Sequence, residues 1–283
     1  MSNIKEIKSI DLSSLTIIGT GIAVLFSILA SILITIIAGI VSPATIGVMI
    51  YIIPTIIVGT LMYTIYNIFF EGFLYNTLAK RLNTIKFILK EDKEIIKVST
   101  TETAIMVAII LTIQVILIYL ASVFLLPLLL NAMVQTLMFS GQTTIAYSLY
   151  QFLLIFSQPT TVAIIIFGTF IISFVFVLLG TYIYNILANS GRGIIVNLSK
   201  ENNMTVVESV DVLKLAIAFA IIGGVLNLII AILSLSNGGD ALGIIGNIIG
   251  GFISYFIQGA LIAIFYNFLA PKLGKLKIEL IDQ

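Results

Sequence analysis

The chain has 283 residues, 60% of them hydrophobic and only 10% charged, with a mean hydropathy of +1.20 and a formal net charge of +1. A soluble domain carries roughly 25% charged residues, so the composition excludes one and points to a lipid environment. There is no Cys and no His, which removes disulfides, thiolate nucleophiles, imidazole bases and most transition-metal sites, and the near-neutral charge gives no pull toward nucleic acid. No metal and no cofactor is expected.

Residues 1–11 hold Lys5, Glu6, Lys8 and Asp11, whose charges cancel. The apolar run that follows, 15–41, is too long for the core of a secretory signal and reads as a retained helix. Six spanning helices are predicted at about 14–40, 47–79, 102–126, 160–188, 211–235 and 247–270, each near or above the ~20 residues a bilayer requires. The runs are continuously apolar rather than alternating, which favours helices over a transmembrane barrel. Pro54 predicts a kink in the second span, and Pro127 follows the third.

All 14 Lys and Arg residues fall in the N-terminus, the linkers 80–101 and 189–210 with the start of the fifth span, and the C-terminus. The alternate loops, 41–46, 127–159 and 236–246, contain none. Basic residues near helix ends stay in the cytoplasm, so both termini are predicted there, in a multi-pass protein of the cell membrane whose first partner is the lipid bilayer. The charge-free insertion 128–158 reads either as an amphipathic hairpin on the outer surface or as a re-entrant segment. Asn237-Gly238-Gly239-Asp240 reads as a turn between the last two spans.

One pattern recurs three times: Tyr75-Asn76-Thr77-Leu78-Ala79, Tyr184-Asn185-Ile186-Leu187-Ala188 and Tyr266-Asn267-Phe268-Leu269-Ala270. Each copy ends an apolar run. Each unit begins with an apolar residue and a helix-capping residue, Ile10-Asp11, Val98-Ser99 and Val210-Asp211, whose side chains suit the free N–H groups of a helix start. Ser99 to Glu102 has capping-box spacing. The repeats are 1–94, 95–203 and 204–283. Behind each motif, residues alternate with period two around Ile85–Leu89, Ile194–Leu198 and Leu276–Leu280, which predicts half-buried strands. Polar turns make the two linkers hairpins, and pairing 4–10 with 276–281 would close the ring of repeats. Gly191, Gly193 and Gly274 suit the turn into the strand.

Tyr75, Asn76, Tyr184, Asn185, Tyr266 and Asn267 have two readings: architectural helix ends at the headgroup level, or a ring of three amides that binds something. Glu71 is the one acidic residue well inside a predicted span. It either couples an ion or proton or reaches the headgroups near Lys80 and Arg81. Asn67, Gln114, Asn227 and Gln258 are the other candidates for a polar pathway or for interhelical hydrogen bonds. Small residues every fourth position along the first span (Gly19, Ala23, Ser27, Ser31, Thr35, Gly39) and in the last (Gly246, Gly250, Ser254) predict close helix packing. A second Asp in another span, as an intramembrane aspartyl protease needs, is absent, and no phosphate-binding Gly loop follows a strand. No catalytic set is present.

Ile10-Asp11-Leu12-Ser13-Ser14 at the start and Tyr266-Asn267-Phe268-Leu269-Ala270 with Gly274 at the end resemble the small two-helix prokaryotic membrane domains of unknown function marked by Ile/Val-Asp-x-x-Ser and Tyr-Asn-x-x-Ala-x-x-x-Gly. Asn83 and Ser99 depart from that pattern in the central copies. The resemblance implies a triplicated two-helix unit with a short strand and brings no activity with it. The expectation is an all-α membrane protein of six transmembrane helices in three tandem hairpins, with a small cytoplasmic β element formed by linkers and termini. Two functions fit: a non-enzymatic scaffold or assembly factor presenting that element to a membrane or cytoplasmic protein, or a transporter or channel for a small solute or ion along a pseudo-threefold axis.

Overall fold

The computed structural model describes residues 2–43, 46–236 and 241–282. The expected turn at 237–240 lies outside them. The elements follow a βααβ plan three times, with one additional helix in the second unit. The first unit is β1 (Ser2–Ile10), α1 (Leu12–Val41), α2 (Ile46–Leu78) and β2 (Lys86–Lys90). The second is β3 (Glu94–Val98), α3 (Thr100–Phe139), α4 (Thr143–Phe156), α5 (Pro159–Leu187) and β4 (Ile194–Glu201). The third is β5 (Met204–Val210), α6 (Val212–Ser236), α7 (Ala241–Leu273) and β6 (Lys277–Asp282).

Among the described residues six helices are long and apolar enough to cross a bilayer, as the sequence predicts. The β element is larger than expected. It is a closed barrel in the order β1-β2-β3-β4-β5-β6, every neighbour antiparallel. Hairpins join β2 to β3 and β4 to β5, and the two chain ends supply the remaining contact, with Lys5 opposite Asp282 and Ile7 opposite Leu280. Closure leaves no free sheet edge. The antiparallel order puts the strand ends that join helices at one end of the barrel and the β2–β3 and β4–β5 turns at the other.

The chain divides into two compact units, Met1–Thr103 with Leu179–Gln283, and Ala104–Leu178. In the first, α1 packs along α2, α6 along α7, and α1 against α7. The approach depends on glycine, though not on every one the spacing suggests. A Cβ on Gly19 would lie 2.7 Å from Ile68, one on Gly223 2.2 Å from Tyr255, and one on Gly259 2.9 Å from the Ala216 backbone. Gly246 and Gly250 face open space. The α6–α7 seam runs one position over from the predicted ridge, because Gly251 and Gly259 receive Asn227 and Phe219.

The second unit corrects the middle hairpin. The third span was expected to stop before Pro127, but α3 continues through it to Phe139. Membrane helices tolerate such a proline when the freed backbone groups are re-satisfied. Forty residues make a helix of about 60 Å, twice the hydrocarbon thickness. Gly141, at φ +77°, ends it, with Gln142 N–H donating to Leu137 C=O (2.9 Å), a Schellman-type stop. The predicted insertion is therefore the C-terminal part of α3 plus α4. The two meet where the Tyr119 hydroxyl donates to the Phe156 carbonyl (3.0 Å) and the two rings approach to 5.0 Å. Neither α4 nor α5 packs along α3 as α2 packs along α1.

Candidate functional site

The three Tyr-Asn pairs occupy equivalent places at the helix end of the barrel. Asn76 holds both backbone groups of Ile10, the last residue of β1: its Oδ1 accepts from the Ile10 N–H and its Nδ2 donates to the Ile10 carbonyl, both at 2.8 Å. Asn185 does the same to Val98 (2.8 and 2.8 Å), and Asn267 to Val210 (2.9 and 2.8 Å). A returning helix is thus fastened to the strand that launched its partner. Asn suits this role because its amide offers one acceptor and one donor side by side, the complement of a peptide unit.

The tyrosines act three residues upstream. Tyr75 donates to the Ile7 carbonyl (2.7 Å), Tyr184 to Ile95 (2.6 Å) and Tyr266 to Val207. These carbonyls share a property. Each precedes the extra residue of a β-bulge, at Lys8, Ile96 and Glu208. A bulge interrupts the ladder locally, and the phenol supplies a donor at that point. The same hydroxyl also accepts from the strand after its own helix. Ile194 N–H reaches Tyr184 at 3.1 Å and Leu276 N–H reaches Tyr266 at 3.3 Å. One oxygen therefore bridges the two strands of a unit. The cap residues complete the pattern: Asp11, Ser99 and Asp211 donate their N–H groups to the carbonyls of Lys277, Lys86 and Ile195 (2.9, 2.8 and 2.9 Å). Asp11 and Asp211 cap their helices through Ser14 and Lys214 N–H (2.7 and 2.8 Å). Ser99 instead turns its hydroxyl to the Lys86 N–H (3.0 Å).

The barrel interior is apolar in its middle, while Lys5 and Thr205 share the inward face near the free end. The pairing register puts Leu89, Ile95, Leu198, Val207 and Ile278 on the inward face, and Leu89 is 1% exposed. Eight strands enclose a space that side chains just fill, so six leave a packed core rather than a lumen. At the helix end, Tyr184 packs with Leu187, Ala188 and Ala218, and Tyr266 with Ile18, Leu269 and Ala270. At the turns, Gly191 (φ +77°) and Gly274 (φ +112°) take the left-handed conformations expected of them.

Four ion pairs surround β6: Lys5–Asp282, Lys8–Glu279 (2.7 Å), Lys275–Glu208 and Lys277–Glu201 (2.8 Å). Three of these involve β6 itself, and Lys275 lies just before it. Lys275, with Ser199, holds the Glu208 carboxyl below the usual range, Lys8 with Ser9 does so for Glu279, and Lys5 for Asp282. Glu201 raises Lys277.

The polar residues of the spans do not gather. Asn67 donates to Glu71 (2.9 Å) one turn along α2, both half-buried. Asn227 on α6 donates to the Asn247 carbonyl of α7 (2.8 Å). Gln114 is buried on α3, in the other compact unit. Gln258 lies on an exposed face of α7 rather than in the interior. A 250 Å³ cavity between α1 and α2 is lined by isoleucines with Ser31 and Thr35, and by none of these five.

No protein-family model, curated protein or solved structure matches this chain. The sequence reading placed the residues that the motif grips in strands but did not predict the grip, although a signal was there. Ile85, Ile194 and Leu276 each stand ten residues beyond a motif tyrosine, and a constant offset across repeats of unequal length marks a fixed contact.

Proposed function

We propose that this is a non-enzymatic, multi-pass scaffold of the cell membrane that displays a rigid β-barrel on the cytoplasmic side for a protein partner. The observation that carries the reading is the clamp. Three Asn and three Tyr side chains fasten a closed, apolar-cored barrel directly to the ends of three membrane helices. Such a junction fixes the barrel's orientation to the bilayer, as a docking platform requires. A closed barrel with an apolar middle favours this reading over a solute route through the barrel. The segregation of basic residues toward the barrel side supports the cytoplasmic placement.

Two experiments test it. A membrane-impermeant label applied to intact cells should miss a cysteine placed at Glu91, on the β2–β3 turn. Labelling from outside would reverse the orientation. In proteoliposomes the purified chain should leave small-solute and ion gradients intact. A flux that disappears in Glu71→Gln would replace the scaffold with a transporter using the Asn67–Glu71 pair.

A further inference from the structure

The end of the barrel away from the helices opens into a cavity of about 400 Å³, within the size range of small-molecule sites. Its apolar floor comes from Leu89, Leu198 and Leu280. Its rim carries four charges, of which Lys5 and Asp282 neutralise each other as an ion pair. The other two, Lys200 and Asp92, form no ion pair with each other or with another described residue, and Lys200 adds to the field that holds the Asp282 carboxyl low. Thr205, 9% exposed, also lines the cavity. Register places Thr205 opposite Lys200, so the hydroxyl and the ammonium share one wall. Asp92 stands on another, on the β2–β3 turn, where both Glu91 (φ 53°) and Asp92 (φ 54°) are left-handed without glycine.

An unpaired cation beside a donor hydroxyl, an unpaired carboxylate across from them and an aliphatic floor between are complementary to one kind of molecule. We propose that the barrel mouth binds a small zwitterion with an aliphatic body, of the chemical class of a free aliphatic α-amino acid. Its carboxylate lies on Lys200 and Thr205, its ammonium on Asp92, and its side chain on Leu89, Leu198 and Leu280. The Thr205 hydroxyl, a donor on that wall, donates to the ligand carboxylate. The two ligand charges complete ion pairs that the protein leaves open. The assignment goes beyond the scaffold reading: it concerns the free end of the barrel and stands whether or not a protein docks on the flanks.

The test uses the full chain in detergent micelles and three isosteric probes: leucine, 4-methylpentanoate, which lacks the ammonium, and 3-methylbutylamine, which lacks the carboxylate. Leucine should bind saturably, each single-charge probe roughly tenfold or more weakly. Lys200→Met and Asp92→Asn, both at exposed positions, should each weaken leucine by about tenfold. Lys200→Met should leave 3-methylbutylamine unaffected, and Asp92→Asn should leave 4-methylpentanoate unaffected. Unchanged thermal unfolding confirms that the variants fold. The proposal is overturned by no saturable leucine binding, by a single-charge probe that equals leucine, or by leucine affinity that survives both substitutions. Because none of these readouts involves a protein partner or a solute gradient, failure here leaves the scaffold reading to its own tests.

Discussion

Replacing one clamp asparagine with alanine should loosen one strand-to-helix junction and leave the other two intact. Asn267→Ala deletes two hydrogen bonds to Val210, one to its N–H and one to its carbonyl. Each contributes about 1 kcal/mol net. The half-buried backbone groups left behind lose their partners, and water reaches them only in part, which adds a comparable amount. The total is about 2–4 kcal/mol per site, a large share of the 5–15 kcal/mol that a native domain typically has. Hydrogen exchange reads this residue by residue. Val210 N–H should lose about 30- to 700-fold of its protection, taking 1.4 kcal/mol per decade, while Ile10 and Val98 keep theirs. Asn76→Ala and Asn185→Ala should expose Ile10 and Val98 in the same way. Asn67→Ala, which removes no strand contact, should do neither. If the three alanine variants retain wild-type protection at their own strand residues, the asparagines do not fasten the barrel and the reasoning fails.

Tyr184→Phe and Tyr266→Phe each remove a hydroxyl that serves two strands, and each should cost about 1–3 kcal/mol of unfolding free energy, measured by denaturant titration in micelles. Gly223→Ala should destabilise the α6–α7 pair by about 1–3 kcal/mol through overpacking against Tyr255, whereas Gly250→Ala, with open space around it, should be neutral in the same titration. Acid should loosen the barrel at β6. Glu208, Glu279 and Asp282 titrate below the ordinary carboxylate range, so the unfolded state binds more protons and stability rises with pH. Their contribution is complete above about pH 5 and declines as pH falls through about 4 and below. Lys277 has the opposite sign: its raised value supports β6 at neutral pH, and the support disappears as pH climbs past the ordinary lysine range. Exchange of β6 amides against pH, with high salt as the screening control, checks both limbs.

Hydrophobic run length located the spans, since lipid imposes one strong constraint on composition. The strands were legible because Ile85–Leu89 and its counterparts alternate where everything else is continuously apolar. Even the pairing of the chain ends followed from counting one unpaired strand at each. The bulges at Lys8, Ile96 and Glu208 were not legible. A bulge depends on how two strands settle against each other, and either strand alone still reads as alternating. The seam on Gly251 and Gly259 was missed for a related reason: Gly246 and Gly250 have the same spacing, and only the partner helix decides which row is used. The extension of α3 through Pro127 was hidden because a proline in lipid no longer reports a helix end. Thr205, Lys200 and Asp92 drew no notice in the sequence because they come from separate strands and turns that only closure of the barrel brings to one mouth.

A circular permutant tests the equivalence of the three units directly. Each unit contributes two antiparallel strands and cannot close a barrel alone; three contribute six. In a ring of three equivalent units the contact between the chain ends, β1 with β6, has the same role as the hairpins β2–β3 and β4–β5. Covalent continuity at any one of the three should then be interchangeable. A permutant that begins at Asn203, runs to Gln283, continues through a short Gly/Ser linker into residue 1 and ends at Asn202 keeps every unit intact. It also keeps both ends of each unit on one side of the membrane. The cut falls on a turn with Asn202 at φ 54°, and exposed turns tolerate such openings. The permutant should insert, keep protection at Ile10, Val98 and Val210, and unfold within about 1–2 kcal/mol of the parent, the scale set by loop-closure differences. Removing 275–283 instead deletes β6, its four ion pairs and the Leu276 contact to Tyr266. That should expose β1 and β5 as free edges and abolish protection at Val207. A permutant that fails to fold while the truncated chain keeps its barrel amides protected would mean that the chain order, and not the ring of clamps, holds the structure together.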